Sequence, residues 1–289
     1  MTKHLNPSKS GRAILLAVAG AWSVGFAPSA EAVPPAPYHL IYGMARDQYG
    51  TPLTGPSSFV TFQSQSGVKL TGQIIPALAA GVNYQIKVPM DSGQSAQLYR
   101  PDAQLTSNAF TMLVVVGTVT NLPLEMAGGS ESLGQPGGAT RINLTLGVDS
   151  NGDGIPDAWE NAYLAALGTN VSLSALNASS RLAGGLTLEQ AYLLGLPVFN
   201  PGTTFQVTLL GFSGNSPILA FPGMTGRSYT VLGSSDLTNW TQLSINLPSD
   251  APGAPTQSFY YSSVMQNVTL RVNLPGPAST SMFLKVLLQ

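Results

Sequence analysis

Hydrophobic and polar residues alternate with a period of two between residues 38 and 146. In residues 84–88, Tyr, Ile and Val alternate with Gln and Lys, and residues 142–146 show the same spacing. Because successive side chains of a β-strand point to opposite faces of a sheet, this spacing gives each strand one apolar and one polar face, as in an antiparallel sandwich. Residues 112–116 are apolar throughout and predict a central strand, whereas residues 127–138 predict a flexible loop.

The same alternation returns after Pro201. Phe205, Val207 and Leu209 alternate with Gln and Thr, and residues 268–274 repeat the spacing. The chain also contains 31 Gly and 22 Pro residues, which favour short strands and turns over long helices. A second β-sandwich is therefore predicted in the C-terminal part of the chain.

Helical spacing is confined to residues 149–200. Apolar residues at positions 159, 162, 163 and 166 fall on one helical face, and Gly168 can end that helix. A second helix is predicted to begin at Thr187, whose hydroxyl can form a capping box with Gln190.

The N-terminus has the pattern of an export signal. Lys3, Lys9 and Arg12 precede an apolar run over residues 13–27, and residues 30–32 (Ala-Glu-Ala) match the small-x-small site of signal peptidase. The alternative is a membrane anchor, but the run is shorter than the ~20 residues that span a bilayer. We predict cleavage after Ala32 and a protein that is secreted to the extracellular space or the cell surface, with no membrane span after cleavage.

Charge is scarce along the whole chain. Charged residues make up 9% of the sequence, the formal net charge is −1, and there is no cysteine. This balance lacks the basic surface that nucleic-acid binding needs. Disulfides, thiolate zinc sites and cysteine nucleophiles are excluded as well.

Four of the 13 acidic residues nevertheless fall within one segment of the chain. Residues 149–160 (DSNGDGIPDAWE) match the calcium-loop pattern D-x-[DN]-x-[DN]-G-x5-E at every specified position. In such a loop, alternate side chains turn their oxygens towards one point, and a glycine permits the sharp bend. The predicted calcium ligands are Asp149, Asn151, Asp153, Ile155 through its backbone carbonyl, Asp157, and Glu160 with both carboxylate oxygens.

The alternative interpretation of these residues is a turn that caps a helix, since Asp, Asn and Gly favour such positions without any metal. Four carboxylates held together would repel each other, and a divalent cation relieves that repulsion. Because every specified position of the pattern is filled in a chain with so little charge, the sequence favours one bound Ca²⁺.

The loop also resembles a known class of calcium site. A strand over residues 141–146 is predicted to lead into it, where an EF-hand has a helix, and this arrangement is similar to dockerin and thrombospondin type 3 repeats. Those families usually repeat the loop. The equivalent segment here, residues 180–187, keeps Gly185 and a following helix but lacks acidic ligands. We interpret it as a degenerate repeat and expect one ion per chain.

Two further segments resemble modules of exported proteins. Residues 41–53, with Asp47, Gly50 and Pro52-Leu53, resemble the opening of carboxypeptidase-regulatory-like and immunoglobulin-like modules. Residues 226–240 (GRSYTVLGSSDLTNW) resemble a C-terminal sandwich of exported proteins from environmental bacteria, although residues 283–286 replace its usual aromatic-Tyr-Arg-Val ending with FLKV. These resemblances imply surface-display, matrix or accessory roles.

Together, the patterns predict a mainly β chain with two β-sandwich domains joined by a short helical calcium-loop linker. The predicted segments are a signal peptide (1–32), an immunoglobulin-like β-sandwich (33–148), a calcium loop with a two-helix linker (149–200) and a C-terminal β-sandwich (201–289). We expect a secreted, non-catalytic structural or adhesion protein whose linker is ordered by calcium. Its expected partners are cell-surface or matrix polymers or other copies of itself, and not nucleic acid.

Two other functions have candidate residues. A Ser-His-Asp triad would have to use His39, and no complete nucleophile elbow is found, so we predict that the protein is not an enzyme. Trp240, Tyr260 and Tyr261 could form a stacking platform for a carbohydrate-binding module. In the competing interpretation, Trp240 fills the second core and the two tyrosines point to opposite sides of one strand.

Overall fold

A computed structural model describes residues 35–94, 97–129, 131–168, 170–181, 185–196, 205–275 and 282–289. The predicted signal peptide, the centre of the degenerate repeat and the proposed boundary at residue 200 lie outside the described residues. Contacts group residues 35–289 into one compact unit. The chain is mainly β, as predicted, while its division into separate domains stays a prediction.

The described residues contain 17 strands and two α-helices. In chain order the strands are β1 (Ala36–Gly43), β2 (Ala45–Arg46), β3 (Ser58–Ser64), β4 (Lys69–Gln73), β5 (Tyr84–Met90), β6 (Ala109–Val116), β7 (Val119–Asn121), β8 (Glu131–Ser132), β9 (Ala139–Arg141), β10 (Leu144–Thr145), β11 (Thr208–Ser213), β12 (Ser216–Gly223), β13 (Arg227–Ser234), β14 (Thr241–Asn246), β15 (Tyr260–Ser262), β16 (Gln266–Asn273) and β17 (Phe283–Leu288). The helices are α1 (Asp157–Leu167) and α2 (Leu188–Leu194).

The first ten strands enclose one apolar core. One sheet has the order β4-β3-β6-β7, with β8 also on β6, and in a second sheet β1 lies between β5 and β9. The alternation predicted in β5 is confirmed, since Tyr84, Ile86 and Val88 are buried while their neighbours Gln85 and Lys87 are exposed. The predicted central strand is β6, which has neighbours on both sides, and its burial alternates along its length.

The connection into residues 149–160 differs from the prediction in one respect. The strand expected over residues 141–146 is broken in two, with β9 parallel to β1 and β10 parallel to β2. The break lies beside a matching interruption in the paired strands, because β1 and β2 are separated at Met44. The Met44 N–H donates to Asn143 Oδ1. The loop expected over residues 127–138 also contains the short strand β8.

The last seven strands form a second β structure in the order β11-β12-β16-β14-β13-β15, with β17 also on β13. The alternation predicted around β16 is confirmed, because Val268, Leu270 and Val272 are buried. Phe205, Val207 and Leu209 were predicted to form a buried face, and this prediction is wrong because Leu209 is 54% exposed. The reason is that β11 is an edge strand, paired only with β12, and its register shifts between Leu209 and Gly211.

The two helices share a third apolar cluster, which includes Ile155, Trp159, Tyr163 and Tyr192. Gly168 ends α1 in the left-handed conformation, as predicted. The predicted capping box of α2 is also present. Of the expected apolar face of α1, only Ala166 is exposed.

Candidate metal centre

The segment 149–160 follows β10 and continues into α1. Gly152 and Gly154 have φ values of 74° and 87°, a region that glycine adopts without steric cost. No atom lies within 4 Å of a Cβ built at either glycine, so backbone conformation explains their presence. The bend expected at Gly154 is therefore formed.

Two of the acidic residues fold the loop upon itself. Asp149 Oδ1 accepts hydrogen bonds from the N–H groups of Gly152 (2.7 Å) and Asp153 (3.3 Å), and its Oδ2 accepts from Gly154 (2.8 Å). Asp157 Oδ1 accepts from the Ser150 N–H at 2.8 Å, from the other side. These bonds fix the loop and use only part of the lone pairs that each carboxylate offers.

Four other oxygen atoms of the predicted ligand set are buried and have no hydrogen-bond partner among the described residues. They are Asn151 Oδ1, Asp153 Oδ2, and Oε1 and Oε2 of Glu160. Glu160 is 0% exposed, although glutamate is rarely buried unless it is paired. A buried charge without a partner costs several kcal/mol, so this carboxylate needs a proton or a cation.

The surroundings of Glu160 also disfavour its ionised form. The pKa of Glu160 is raised to about 7, chiefly by burial and also by the nearby charges of Asp153, Asp157 and Asp149, while the Asn151 amide opposes the shift. The loop therefore surrounds Glu160 with three other carboxylates. An ion with two positive charges would reverse this balance.

The donor set fits calcium in chemical type. Calcium binds carboxylate, amide and backbone carbonyl oxygens, and the unpaired atoms are of the first two kinds. Over the described ranges, no group of three or more His, Cys, Asp or Glu side chains is placed to hold a metal ion by itself. The four carboxylates of the predicted ligand set therefore do not form such a group, and the unpaired oxygens belong to two of them, Asp153 and Glu160, together with Asn151. Ile155 has a buried side chain, and its N–H donates to Asp153 Oδ1 at 2.9 Å.

Without metal, we expect stability to fall as the pH rises from 4.5 to about 7, the ordinary and the folded pKa of Glu160. In that window the folded chain binds a proton that the unfolded chain has released, so rising pH favours unfolding. Urea midpoints in chelator measure this decline. In the variant Glu160→Gln the decline should be smaller, and equal pH slopes in the two chains would contradict the expectation.

The other candidate residues lie elsewhere. The His39 ring is 2% exposed and makes hydrogen bonds of 2.8 Å with the Gln135 carbonyl and the Thr140 hydroxyl. Trp240 is half-buried, and Lys285 Nζ lies 4.0 Å from the centre of its ring. The expectation that Trp240 fills the second core is wrong, because Trp240 is not part of the apolar cluster of the last seven strands. Tyr260 does pack against that cluster.

A second group of buried, unpaired polar atoms was not predicted from the sequence. Arg46 Nε, Arg227 Nε and Nη1, and the Tyr192 hydroxyl are buried without a hydrogen-bond partner. One sequence feature could have indicated a buried Arg227: it lies in a segment that otherwise has the pattern of a buried strand.

Comparison with family models, curated proteins and solved structures found no match for this chain. Within the described residues, no helix is both long and apolar enough to cross a membrane.

Proposed function

We propose that this chain is a secreted calcium-binding structural protein of the cell surface or matrix. In this proposal, two β-sandwich domains are joined by a helical linker that one calcium ion orders. The observation that carries the proposal is the set of four buried, unpaired oxygens on Asn151, Asp153 and Glu160. They have no hydrogen-bond partner among the described residues, and carboxylate and amide oxygens are the ligand types that calcium binds.

The energetics favour a structural role for the ion over a signalling one. Extracellular calcium modules bind with dissociation constants of roughly 0.1–1 mM. An ion present at ten times its dissociation constant stabilises the folded chain by about 1.4 kcal/mol. This is enough to order a segment whose two ends continue directly into β10 and α1.

Two further observations support an association role. Charged residues make up only 9% of the chain, so long-range repulsion between copies or surfaces is weak. Edge strand β11 also exposes large apolar side chains, with Leu210 at 59% and Phe212 at 64%. Unprotected apolar edges of this kind favour contact with another surface.

Calcium removal tests the proposal directly. We expect calcium to raise the melting temperature of the wild type by about 3–6 °C, from the 1.4 kcal/mol above and the size of the chain. The double variant Asp153→Ala/Glu160→Ala should lose this rise because it lacks three of the four unpaired oxygens. Melting curves with calcium and with chelator measure the effect.

Glu189→Ala is the matched control, since it removes an exposed carboxylate at the start of α2, away from the loop. It should keep the full calcium response. Identical melting temperatures of the wild type in calcium and in chelator would rule out the proposed role of the ion.

A carbohydrate-binding accessory role is the second candidate. It is supported by an open surface cavity of about 470 Å³ that Phe259, Tyr260 and Tyr261 line together with polar residues. Trp240 does not line this cavity. Retention of the wild type on insoluble polysaccharides, lost in Tyr261→Ala, would favour this role over a purely structural one. Absence of binding to every polysaccharide would count against it.

A further inference from the structure

Arg227, at the start of β13, is a buried cation that lacks a full set of partners. Its side chain is 2% exposed. Nη2 donates to the backbone carbonyls of Gly50 at 2.7 Å and Tyr192 at 3.4 Å. Nε and Nη1, however, are buried and have no hydrogen-bond partner in the part of the chain that the structure describes. Two strong donors on a charged group are therefore unsatisfied inside the protein.

A second cation adds to this imbalance. Arg46 is 6% exposed, and its Nε is also buried without a partner, as is the Tyr192 hydroxyl. The pKa of Arg227 is lowered to about 10, chiefly by burial and also by the charge of Arg46. Unpaired donors and positive charge are thus concentrated in one place.

Neither guanidinium group forms an ion pair within the described residues. The ion pair found there joins Arg100 and Asp102, in another part of the chain. The charge of Glu125 acts on Arg46, but its two oxygens accept hydrogen bonds from the Thr145 N–H and hydroxyl. The charge of Asp47 acts on Arg227, but Asp47 Oδ1 accepts from the N–H groups of Tyr49 and Thr51. A buried charge that lacks a counterion is costly, so an anion bound beside Arg227 would be stabilising.

A cavity beside Arg227 offers the space. Its volume is about 200 Å³, and its wall contains Gly50, Thr51, Gly195 and Thr225 but no acidic residue. A liquid water occupies about 30 Å³, so a chloride or a phosphate ion fits with room for water. Gly195 keeps the wall open, because a Cβ there would lie 3.0 Å from Nε and Nη2 of Arg227.

We propose that this cavity binds a small inorganic anion, such as chloride or phosphate, beside the guanidinium group of Arg227. The bound anion would neutralise part of the positive charge that Arg227 shares with Arg46. Arg227 already connects the turn at Gly50, the end of α2 and strand β13. The anion would therefore stabilise the junction between both β structures and the helical segment.

Melting temperatures in saturating calcium, at constant ionic strength, test the proposal. The reference buffer contains a bulky organic anion that cannot enter the cavity, and in the test buffers chloride or phosphate replaces it. We expect a rise of about 3–6 °C when the anion reaches roughly ten times its dissociation constant. The rise should be absent in Arg227→Met and present in Arg271→Met, which removes a partly exposed arginine of β16. A response to chloride alone or phosphate alone identifies which anion the site prefers.

If Arg227→Met does not fold, the chlorine NMR linewidth and phosphate titration calorimetry of the wild type decide the question. Saturable broadening of the chloride signal, or saturable heat with phosphate, supports the site. The proposal is overturned if neither anion binds saturably or stabilises the wild type. It is also overturned if a folded Arg227→Met keeps the same response.

Discussion

Replacing Trp159 with alanine is expected to lower the free energy of unfolding by about 3–5 kcal/mol, the usual cost of deleting a large buried aromatic ring. Trp159 is 1% exposed in the apolar cluster of the two helices. Its ring stacks on Tyr163 at 5.4 Å and meets Tyr192 edge-on at 5.5 Å. The contact with Tyr192 joins α1 to α2, and an alanine side chain is too small to make it.

The same substitution should also weaken the calcium response. Trp159 directly precedes Glu160 in α1, so loosening the helix moves the carboxylate that calcium is proposed to bind. Urea unfolding in saturating calcium gives the loss of stability, and a calcium titration of the melting temperature gives the loss of response.

Trp159→Phe is the matched control. It keeps an aromatic ring and removes the indole N–H, which is buried without a hydrogen-bond partner. We therefore expect it to cost less than about 1.5 kcal/mol. An alanine variant as stable as the phenylalanine variant would show that this cluster does not support the fold.

Replacing Gly43 with alanine is expected to destabilise the chain by about 3 kcal/mol or more, at the upper end of overpacking effects. A Cβ at Gly43 overlaps the backbone carbonyl oxygen of Ile142. Backbone atoms cannot rotate away as a side chain can. That carbonyl also accepts a hydrogen bond from the Tyr84 hydroxyl at 2.5 Å, so displacing it disturbs the first core.

Gly128→Ala provides the comparison, because nothing lies within 4 Å of a Cβ at that position. It should change the free energy of unfolding by less than about 0.5 kcal/mol. Urea midpoints of the two variants measure the difference. If Gly43→Ala were as stable as Gly128→Ala, the close approach of Gly43 to the Ile142 carbonyl would be contradicted.

Local pattern was enough to predict much of the secondary structure. The strands at residues 84–90 and 266–273 and the capping box at Thr187 depend on neighbouring residues, and the structure confirms them. A buried strand face was predicted at Phe205, Val207 and Leu209 because they alternate with polar residues, whereas the observed strand covers residues 208–213 and is exposed. Its exposure follows from its place at the edge of the sheet, which strand order decides and spacing cannot reveal.

The sequence likewise predicted one part of the candidate metal site and not the other. The spacing of residues 149–160 alone indicated oxygen ligands and a bend at Gly154, because a twelve-residue loop is a local structure. Sequence could not show that both oxygens of Glu160 are buried and unpaired, since this enclosure comes from the packing of the two helices.

The sequence by itself determined the mainly β class, the two helices and the acidic loop, because each depends on residues close together in the chain. Only the tertiary structure decided which polar groups lack partners. Arg227 and Gly50 are separated by 177 positions, yet they are joined by a 2.7 Å hydrogen bond, and Arg46 is brought beside them. Burial removes such groups from water, and it depends on contacts that no local pattern encodes.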